Sequence, residues 1–181
     1  NTDAIDVDFN QFEAGGVASS RMAATGTVRA ADLLTYSLGT WYNPAQGTLY
    51  TEWFNPANNA ATLAVADFND ATNNNVMNNY FTSSTIAGVS GVAGGVIQYA
   101  LTAASITGGA VAKSINIFAP NDFAGFANGT SLGADASGTL PTVTRLEVGS
   151  QAGGVQLGNY IRKIAYYPIR MNNAIAQSLT A

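Results

Sequence analysis

Short strand-like runs separated by turn residues restrict the fold of this chain more than any other feature. Runs rich in β-branched and aromatic residues, with partial period-two alternation, recur between clusters of Gly, Asn, Pro and Ser. The clearest runs are residues 27–38, 47–54, 61–68, 75–81, 94–102, 110–119, 122–129, 143–149 and 160–167. Nine or ten short strands in this rhythm predict an all-β chain, folded as an antiparallel jelly-roll sandwich.

The other segments are connections, with one helix at the end of the chain. Asn172 or Asn173 can cap a short C-terminal helix that contains Ala174, Ile175 and Leu179. Residues 83–95 are rich in Gly and Ser, and we interpret them as either a loop or an edge strand. Residues 127–133 are interpreted as turn material.

The chain divides into an N-terminal arm or connector, residues 1–25, and a sandwich domain, residues 26–181. The arm is difficult to place, because an alternating stretch at its start is followed by a Gly- and Ala-rich one. It also carries an acidic cluster of Asp3, Asp6 and Asp8.

The composition excludes several functional classes. The chain has no Cys and no His, so disulfides, Cys/His zinc sites and Ser-His-Asp or Cys-His catalysis are excluded. A net charge of -4 argues against nucleic-acid binding, which needs a basic surface. No apolar run approaches the ~18 residues of a membrane span, so no membrane insertion is expected. Only 10% of residues are charged, which favours a chain that packs against copies of itself.

Glu52 is the candidate for catalysis, since it shares a strand face with the aromatic residues Tyr50 and Phe54. Glycosidases of the sandwich type need a second carboxylate close by, commonly in a strand motif E-x-D-x-x-E. That motif is missing, and the chain has only three glutamates. We therefore expect no enzyme activity and interpret Glu52 as a strand residue paired with an arginine.

Asp67, Asn69 and Asp70 are the candidate metal ligands, because calcium favours carboxylate and amide oxygens. Their spacing is not that of an EF-hand loop, which needs a Gly and a terminal Glu that are missing here. The alternative is an ordinary turn, in which these side chains bond to their own backbone. Calcium is the one cofactor that the sequence indicates.

Trp41 and Tyr42 precede a proline turn, and they are the candidate glycan-binding residues. Aromatic rings at a loop tip can stack on the apolar faces of sugar rings. Asn58, Asn59 and Asn74 belong to Asn-rich loops that can hydrogen-bond to sugar hydroxyls. The alternatives are a Trp41 that contacts the core or another subunit, and asparagines that only form solvated turns and edges.

The strand near the C-terminus, residues 160–167, has mixed faces. Alternation places Ile161, Lys163, Ala165 and Tyr167 on one face, and Tyr160, Arg162, Ile164 and Tyr166 on the other. Neither face is purely apolar, so we expect the strand either to cover a sheet or to form a functional contact surface.

Five stretches together carry a resemblance to a known family: RAADLLTYSL, WYNPAQGTLYTEWF, PNDFAGFANG, ASGTLPTVTRLEVGS and IRKIAYYPIRMNNAIAQSLTA. From about residue 27 to residue 181 they resemble, in the same order, the concanavalin A-like (laminin-G/pentraxin-type) domain of bacteriophage and prophage virion proteins. Residues 73–110 fit this pattern poorly, and the first 25 residues lie outside it.

The resemblance implies a jelly-roll sandwich of two antiparallel sheets on a tail fibre, a head fibre or another virion surface appendage. It also implies that residues 160–167 lie beside N-terminal strands to complete a sheet, with the helix covering one end. The family supplies no catalytic residues. The expected function is lectin-like recognition of a host-surface polysaccharide; the alternative is a purely structural fibre or capsid-decoration protein. The expected partners are two further copies, in a homotrimer, and other virion proteins, both contacted through the arm.

Overall fold

The structure, a computed structural model, describes residues 33–58, 60–152, 154, 157 and 159–181. The proposed arm, residues 1–25, therefore lies outside the described residues. The secondary-structure elements of the described part are β1 (Leu34–Ser37), β2 (Gly47–Phe54), β3 (Leu63–Asn69), β4 (Val76–Phe81), β5 (Ile86–Ala93), β6 (Val96–Ala104), β7 (Val111–Ala119), β8 (Asp122–Ala127), β9 (Thr130–Asp135), β10 (Arg145–Val148), β11 (Ile161–Tyr167) and α1 (Asn173–Thr180).

The strands form two antiparallel sheets packed face to face. The six-stranded sheet has the order β1-β10-β3-β4-β5-β6, and the five-stranded sheet has the order β11-β2-β7-β8-β9. Each of the hydrogen-bonded strand pairs is antiparallel. The predicted all-β jelly-roll sandwich with a short C-terminal helix is confirmed.

The core lies between the sheets and follows the two-residue period of the strands. Leu49 and Trp53 of β2 are fully buried and belong to the same cluster as Phe68 of β3 and Phe81 of β4. The Trp53 and Phe81 rings stack with their centroids 5.7 Å apart. Two sheets that each bury an alternating apolar face are held together mainly by the removal of these side chains from water.

A buried polar network also joins the two sheets. The side-chain amide of Asn79 in β4 donates to the Leu49 carbonyl at 3.2 Å and to the Thr51 hydroxyl at 3.0 Å. The Thr51 hydroxyl lies 2.9 Å from that of Ser114. Asn79 is fully buried and Asn78 nearly so, and both belong to β4.

The C-terminal helix is confirmed, and so is its cap. The Asn172 side chain accepts a hydrogen bond from the Ala174 N–H at 2.9 Å, which satisfies one of the free N–H groups of the first turn. Ala176 packs with Met171 on Ile115 and Phe126 in a second apolar cluster. The helix therefore covers the outer face of the five-stranded sheet, not an end of the sandwich. Within the described residues, no helix has the length and apolar character needed to cross a bilayer.

Strand β11 lies beside β2 as an edge of the five-stranded sheet. Its register shifts between Ile161 and Lys163. Because the extra residue of a bulge reverses the alternation beyond it, Ile161 packs against the main core together with Ile164 and Tyr166. The prediction that Ile161 shares a face with Lys163 and Ala165 was wrong for this reason.

Two further predictions about strands were wrong. Residues 83–95 are not a loop or an edge, because they contain β5, which pairs with β4 on one side and β6 on the other. The stretch interpreted as a turn at 127–133 contains the start of β9. Glycine misled the interpretation of β5: Gly88 and Gly91 lie under the rings of Tyr80 and Tyr99, so they provide space for packing rather than a turn.

Candidate functional site

The two sheets separate at one edge of the sandwich and form an open cleft. The cleft has a volume of about 700 Å³ and lies between β1 and β10 of one sheet and β11 of the other. Its walls are mainly apolar, and they include Leu34, Leu146, Val148, Ile161 and Ile164. A concave, mostly apolar surface with a few polar groups is the usual form of a small-ligand site.

Trp41 lines this cleft, and its ring is held in place by other aromatic side chains. The indole is 40% exposed. Its centroid lies 5.6 Å from that of Tyr166 and 6.2 Å from that of Phe68. Tyr36, which is also exposed, lines the same cleft. The sequence indicated Trp41 as a candidate glycan-binding residue but did not indicate Tyr36, because no local pattern shows that β1 lies at the edge of a cleft.

Tyr42 does not line the cleft but packs against the core. Its ring stacks on Tyr166 at 5.7 Å and lies 5.1 Å from Phe68. Burial, and secondarily the nearby Tyr166 hydroxyl, hold the pKa of Tyr42 well above its usual value. Of the two neighbouring aromatic residues predicted to bind a glycan, Trp41 is therefore exposed, whereas Tyr42 is packed against the core.

The predicted asparagines lie away from the cleft. Asn58 is exposed in the turn that follows β2. Asn74 is exposed in the turn between β3 and β4, where its carbonyl accepts from the Gly95 N–H at 2.8 Å. Neither lines the cleft, and Asn59 lies outside the described residues.

Two basic residues of β11 border the cleft. Arg162 and Lys163 both contribute to its lining. The Arg162 guanidinium lies 3.3 Å from a Glu52 carboxylate oxygen. The Lys163 ammonium lies 5.6 Å from the centre of the Tyr50 ring, within the range of a cation–π contact. Their charged groups thus lie beside Glu52 and Tyr50, on the outer face of the five-stranded sheet.

Glu52 has the surroundings of a paired strand residue. Besides Arg162, it accepts a hydrogen bond from the Tyr50 hydroxyl at 3.0 Å. Partial burial, and then this hydrogen bond, raise the pKa of Tyr50 to about 12. The predicted arginine partner of Glu52 is confirmed.

Asp67 and Asn69 belong to a buried polar cluster with Glu147 of β10. Asp67 and Glu147 are direct cross-strand partners, and all three residues are fully buried. The Asn69 side-chain N–H₂ donates to Asp67 at 2.8 Å and to Glu147 at 2.9 Å. Arg145 donates to Glu147 at 2.7 Å. This cluster links β3 to β10 beside the strands that line the cleft.

Asp67 carries the most perturbed carboxyl group of this cluster. Burial, and then the charge of Glu147, raise its pKa from the ordinary value of 3.8 to about 8. Donation by Asn69 and the charge of Arg145 act in the opposite direction. The second carboxyl oxygen, Oδ2, is buried without a hydrogen-bond partner.

Asp70, the third predicted calcium ligand, stands apart in an exposed turn. It accepts from the Thr72 N–H at 2.9 Å and from the Asn75 side chain at 2.8 Å. These hydrogen bonds lower its pKa, with that from the Thr72 hydroxyl contributing most. No three acidic, His or Cys side chains of the described part of the chain come together as a metal site. Calcium binding through Asp67, Asn69 and Asp70 stays a prediction.

Comparisons with known proteins support the fold. No known family model matches the chain, and no curated protein matches it in sequence. Among solved structures, a carbohydrate-binding module (CBM40) of a Ruminococcus gnavus IT-sialidase, bound to alpha2,3 sialyllactose, aligns with a TM-score of 0.65 at 16% identity. That alignment covers 77% of this chain and 84% of the module.

Two other structures show the same architecture. A heptameric SAP-like pentraxin from Limulus polyphemus aligns with a TM-score of 0.61 at 12% identity, over 86% of this chain and 79% of the pentraxin. The NanB sialidase of Streptococcus pneumoniae aligns with a TM-score of 0.63 at 12% identity, over 76% of this chain and 24% of the sialidase. The chain has the concanavalin A-like, lectin-type jelly-roll fold.

Proposed function

We propose that this chain is a lectin-like domain that binds a glycan in the cleft between β1, β10 and β11, without chemistry. The observation that carries the proposal is the Trp41 indole, half-exposed and fixed by surrounding rings at a cleft of about 700 Å³. A fixed aromatic surface binds the apolar face of a sugar ring at little cost in side-chain entropy.

Polar groups beside Trp41 supply the hydrogen bonds that a sugar needs. Tyr36, Ser37 and Arg162 line the cleft and carry hydroxyl or guanidinium groups that can bond to sugar hydroxyls. The volume suits one or two sugar rings. The fold agrees with this proposal, because a module of similar architecture has been solved with sialyllactose bound.

The absence of catalysis is part of the proposal. Glu52, the candidate acid, contacts a phenol and a guanidinium rather than a second carboxylate. Hydrolysis of a glycosidic bond needs two carboxyl groups on either side of the scissile bond. The virion surface, on a tail or head fibre, is the location we propose, and the sequence resemblance described above supports it.

The alternative is a structural virion protein that makes self-contacts. Exposed apolar residues away from the cleft favour it, notably Ile97 at 68% and Tyr160 at 66% exposure. A low fraction of charged residues, 10%, also suits a protein that is covered by neighbours.

Glycan-array binding followed by titration of the best ligand tests the proposal. Trp41→Ala should weaken binding about fivefold, because a ring contact is worth about 1 kcal/mol and 1.4 kcal/mol corresponds to tenfold. Phe54→Ala is the matched control: Phe54 is 39% exposed, close to the 40% of Trp41, but it does not line the cleft. This control should bind like the wild type.

Three results would contradict the proposal. One is the failure of any glycan to bind, which would favour the structural alternative. Another is an equal loss of affinity in the Trp41 and Phe54 variants, which would place the site elsewhere. The third is release of reducing ends from a polysaccharide, abolished by Glu52→Gln, which would show an enzyme.

A further inference from the structure

The sandwich has four edge strands among its described residues, and three of them carry features that prevent pairing with another chain. β1 has only four residues. β11 is interrupted by its register shift and carries Arg162 and Lys163. β9 is interrupted by a register shift on its pairing with β8 and ends on Asp135. Short length, bulges and charge are the usual protections of a sheet edge.

The fourth edge, β6, lacks these protections over most of its length. Its nine residues, Val96–Ala104, include no charged residue and no proline. The register shift against β5 falls at Gln98, since Gly91 pairs with Tyr99 and Val92 with Ile97. Gln98 is also contacted by Thr139, whose N–H donates to its side chain at 3.0 Å. The stretch from Tyr99 to Ala104 is regular and has no strand on its outer side within the described residues.

The side chains along this stretch leave the edge accessible. Tyr99 and Leu101 face the core, whereas Ala100, Thr102 and Ala104 are exposed. The exposed members are small, so a second backbone can approach to the 4.7–4.9 Å spacing of paired strands. An edge of this kind is a template for strand addition.

We propose that residues 100–104 of β6 pair with the same residues of a second copy, with Thr102 opposite Thr102, so that the two six-stranded sheets join edge to edge. A two-fold axis at Thr102 places the two β6 strands antiparallel, and the exposed Ala100 then lies opposite the exposed Ala104 of the other copy. No charge opposes a like charge in this arrangement, because the stretch has none. An uncharged edge also gives a charged foreign strand nothing to pair with, which makes a second copy the fitting occupant.

The mass of the protein at tens of micromolar, from light scattering or sedimentation, is the first test. We expect about twice the 18.6 kDa of one chain. Thr102→Lys should convert the dimer to a monomer, because an edge lysine blocks pairing. Thr40→Lys is the matched control: Thr40 is also an exposed threonine, in the turn after β1 at the opposite side of the same sheet, and the variant should stay dimeric.

Cross-linking gives a second test that does not depend on the lysine variants. The chain has no cysteine, so Ala100→Cys, Thr102→Cys and Ala104→Cys each introduce one thiol. Opposite residues near the two-fold axis have Cα atoms about 4.5–5.5 Å apart, which permits a disulfide. Thr102→Cys, on the axis, should form a disulfide-linked dimer under mild oxidation, and Thr40→Cys should not.

Several outcomes would overturn the proposal. A monomeric wild type would do so, and so would the trimer that the sequence alone predicts through residues 1–25. A dimer that persists in Thr102→Lys, with an unchanged circular dichroism spectrum, would place the contact elsewhere. Absence of cross-linking in Thr102→Cys would exclude this register of β6. None of these results depends on whether the cleft binds a glycan.

Discussion

At the scale of single residues, Asp67 shows how burial changes an ordinary side chain. Alternation along β3 turns Phe68 into the core, so Asp67 and Asn69 lie on the opposite face, where a solvated pair is the natural expectation. Both are fully buried, together with Glu147. A carboxyl group without water keeps its proton to a higher pH, because the charged form loses its hydration.

The pH dependence of stability is the first prediction at this scale. The folded chain holds the Asp67 proton up to about pH 8, whereas the unfolded chain releases it near its ordinary pKa of 3.8. The free energy of unfolding should therefore fall as pH rises between about 4 and 8, by at most about 1.4 kcal/mol per pH unit from this group. Asp67→Asn should remove this contribution, so the variant gains stability relative to wild type from pH 5 to pH 8 in urea unfolding.

Asp70→Asn is the control for that measurement. Hydrogen bonds lower the pKa of Asp70 in the folded chain, so its contribution is present above the unfolded pKa and is lost as pH falls. This variant should lose stability relative to wild type at pH 8, the opposite sign to Asp67→Asn. Parallel pH profiles for Asp67→Asn and the wild type would show that Asp67 is ionised in the folded state.

Calcium binding is the second residue-scale prediction. The unpartnered Oδ2 of Asp67 is an oxygen available to a cation, but Asn69 must rotate, because its amide nitrogen now lies between Asp67 and Glu147. Calcium that binds only the folded chain stabilises it, by an amount that grows with the logarithm of the calcium concentration above Kd. EDTA should then lower the melting temperature, and Asp67→Ala should have the same effect and remove the response to EDTA. An unchanged melting curve would leave these residues as structural groups.

At the scale of elements, the glycines of β5 explain why this strand is hard to predict and what it contributes. A Cβ at Gly91 would lie 2.3 Å from the Tyr99 ring, and a Cβ at Gly88 would lie 2.5 Å from the Tyr80 ring. Tyr99 is 2% exposed and stacks on Phe123 at 4.2 Å, whereas Tyr80 is only half-buried. Gly91 therefore lies under a fixed tyrosine ring on one face of β5, and Gly88 lies under a movable tyrosine ring on the other face.

Alanine substitution should separate these two environments. Gly91→Ala should destabilise the fold by about 1–3 kcal/mol, because Tyr99 has no room to move and overpacking in a core has this cost. Gly88→Ala, the matched control on the same strand, should cost clearly less, because the Tyr80 ring can turn toward solvent. Chemical unfolding of both variants measures the difference. Equal costs would mean that the Tyr80 ring is held as firmly as the Tyr99 ring.

At the scale of the whole molecule, the two proposed surfaces lie at opposite sides of one sheet. The cleft adjoins β1 and β10, at one end of the strand order, and β6 is at the other end. Pairing through β6 therefore leaves both clefts open at the far sides of the joined sheets. Two sites on one rigid body bind a repetitive polysaccharide more tightly than one site does. The proposed dimer and the proposed glycan site thus support the same function.

The sequence by itself determined what depends on neighbours along the chain. The strands at 47–54 and 110–119 were predicted from local alternation, since inward and outward residues follow a period of two in any sheet. A cap at Asn172 or Asn173 was predicted because a capping side chain satisfies N–H groups only two residues away, and Asn172 proved to be the cap. Glu52 was interpreted as a strand residue paired with an arginine, and the partner proved to be Arg162.

Only the tertiary structure decided what depends on residues far apart in sequence. The cleft takes its walls from residues 34–41, 146–148 and 161–164, and no local pattern indicates that these segments meet. The bulge that turns Ile161 inward follows from pairing with β2. The burial of Asp67 depends on Glu147, which lies opposite it on another strand. These features arise because sheet pairing joins distant strands, and the energy of each contact depends on which strand is the neighbour.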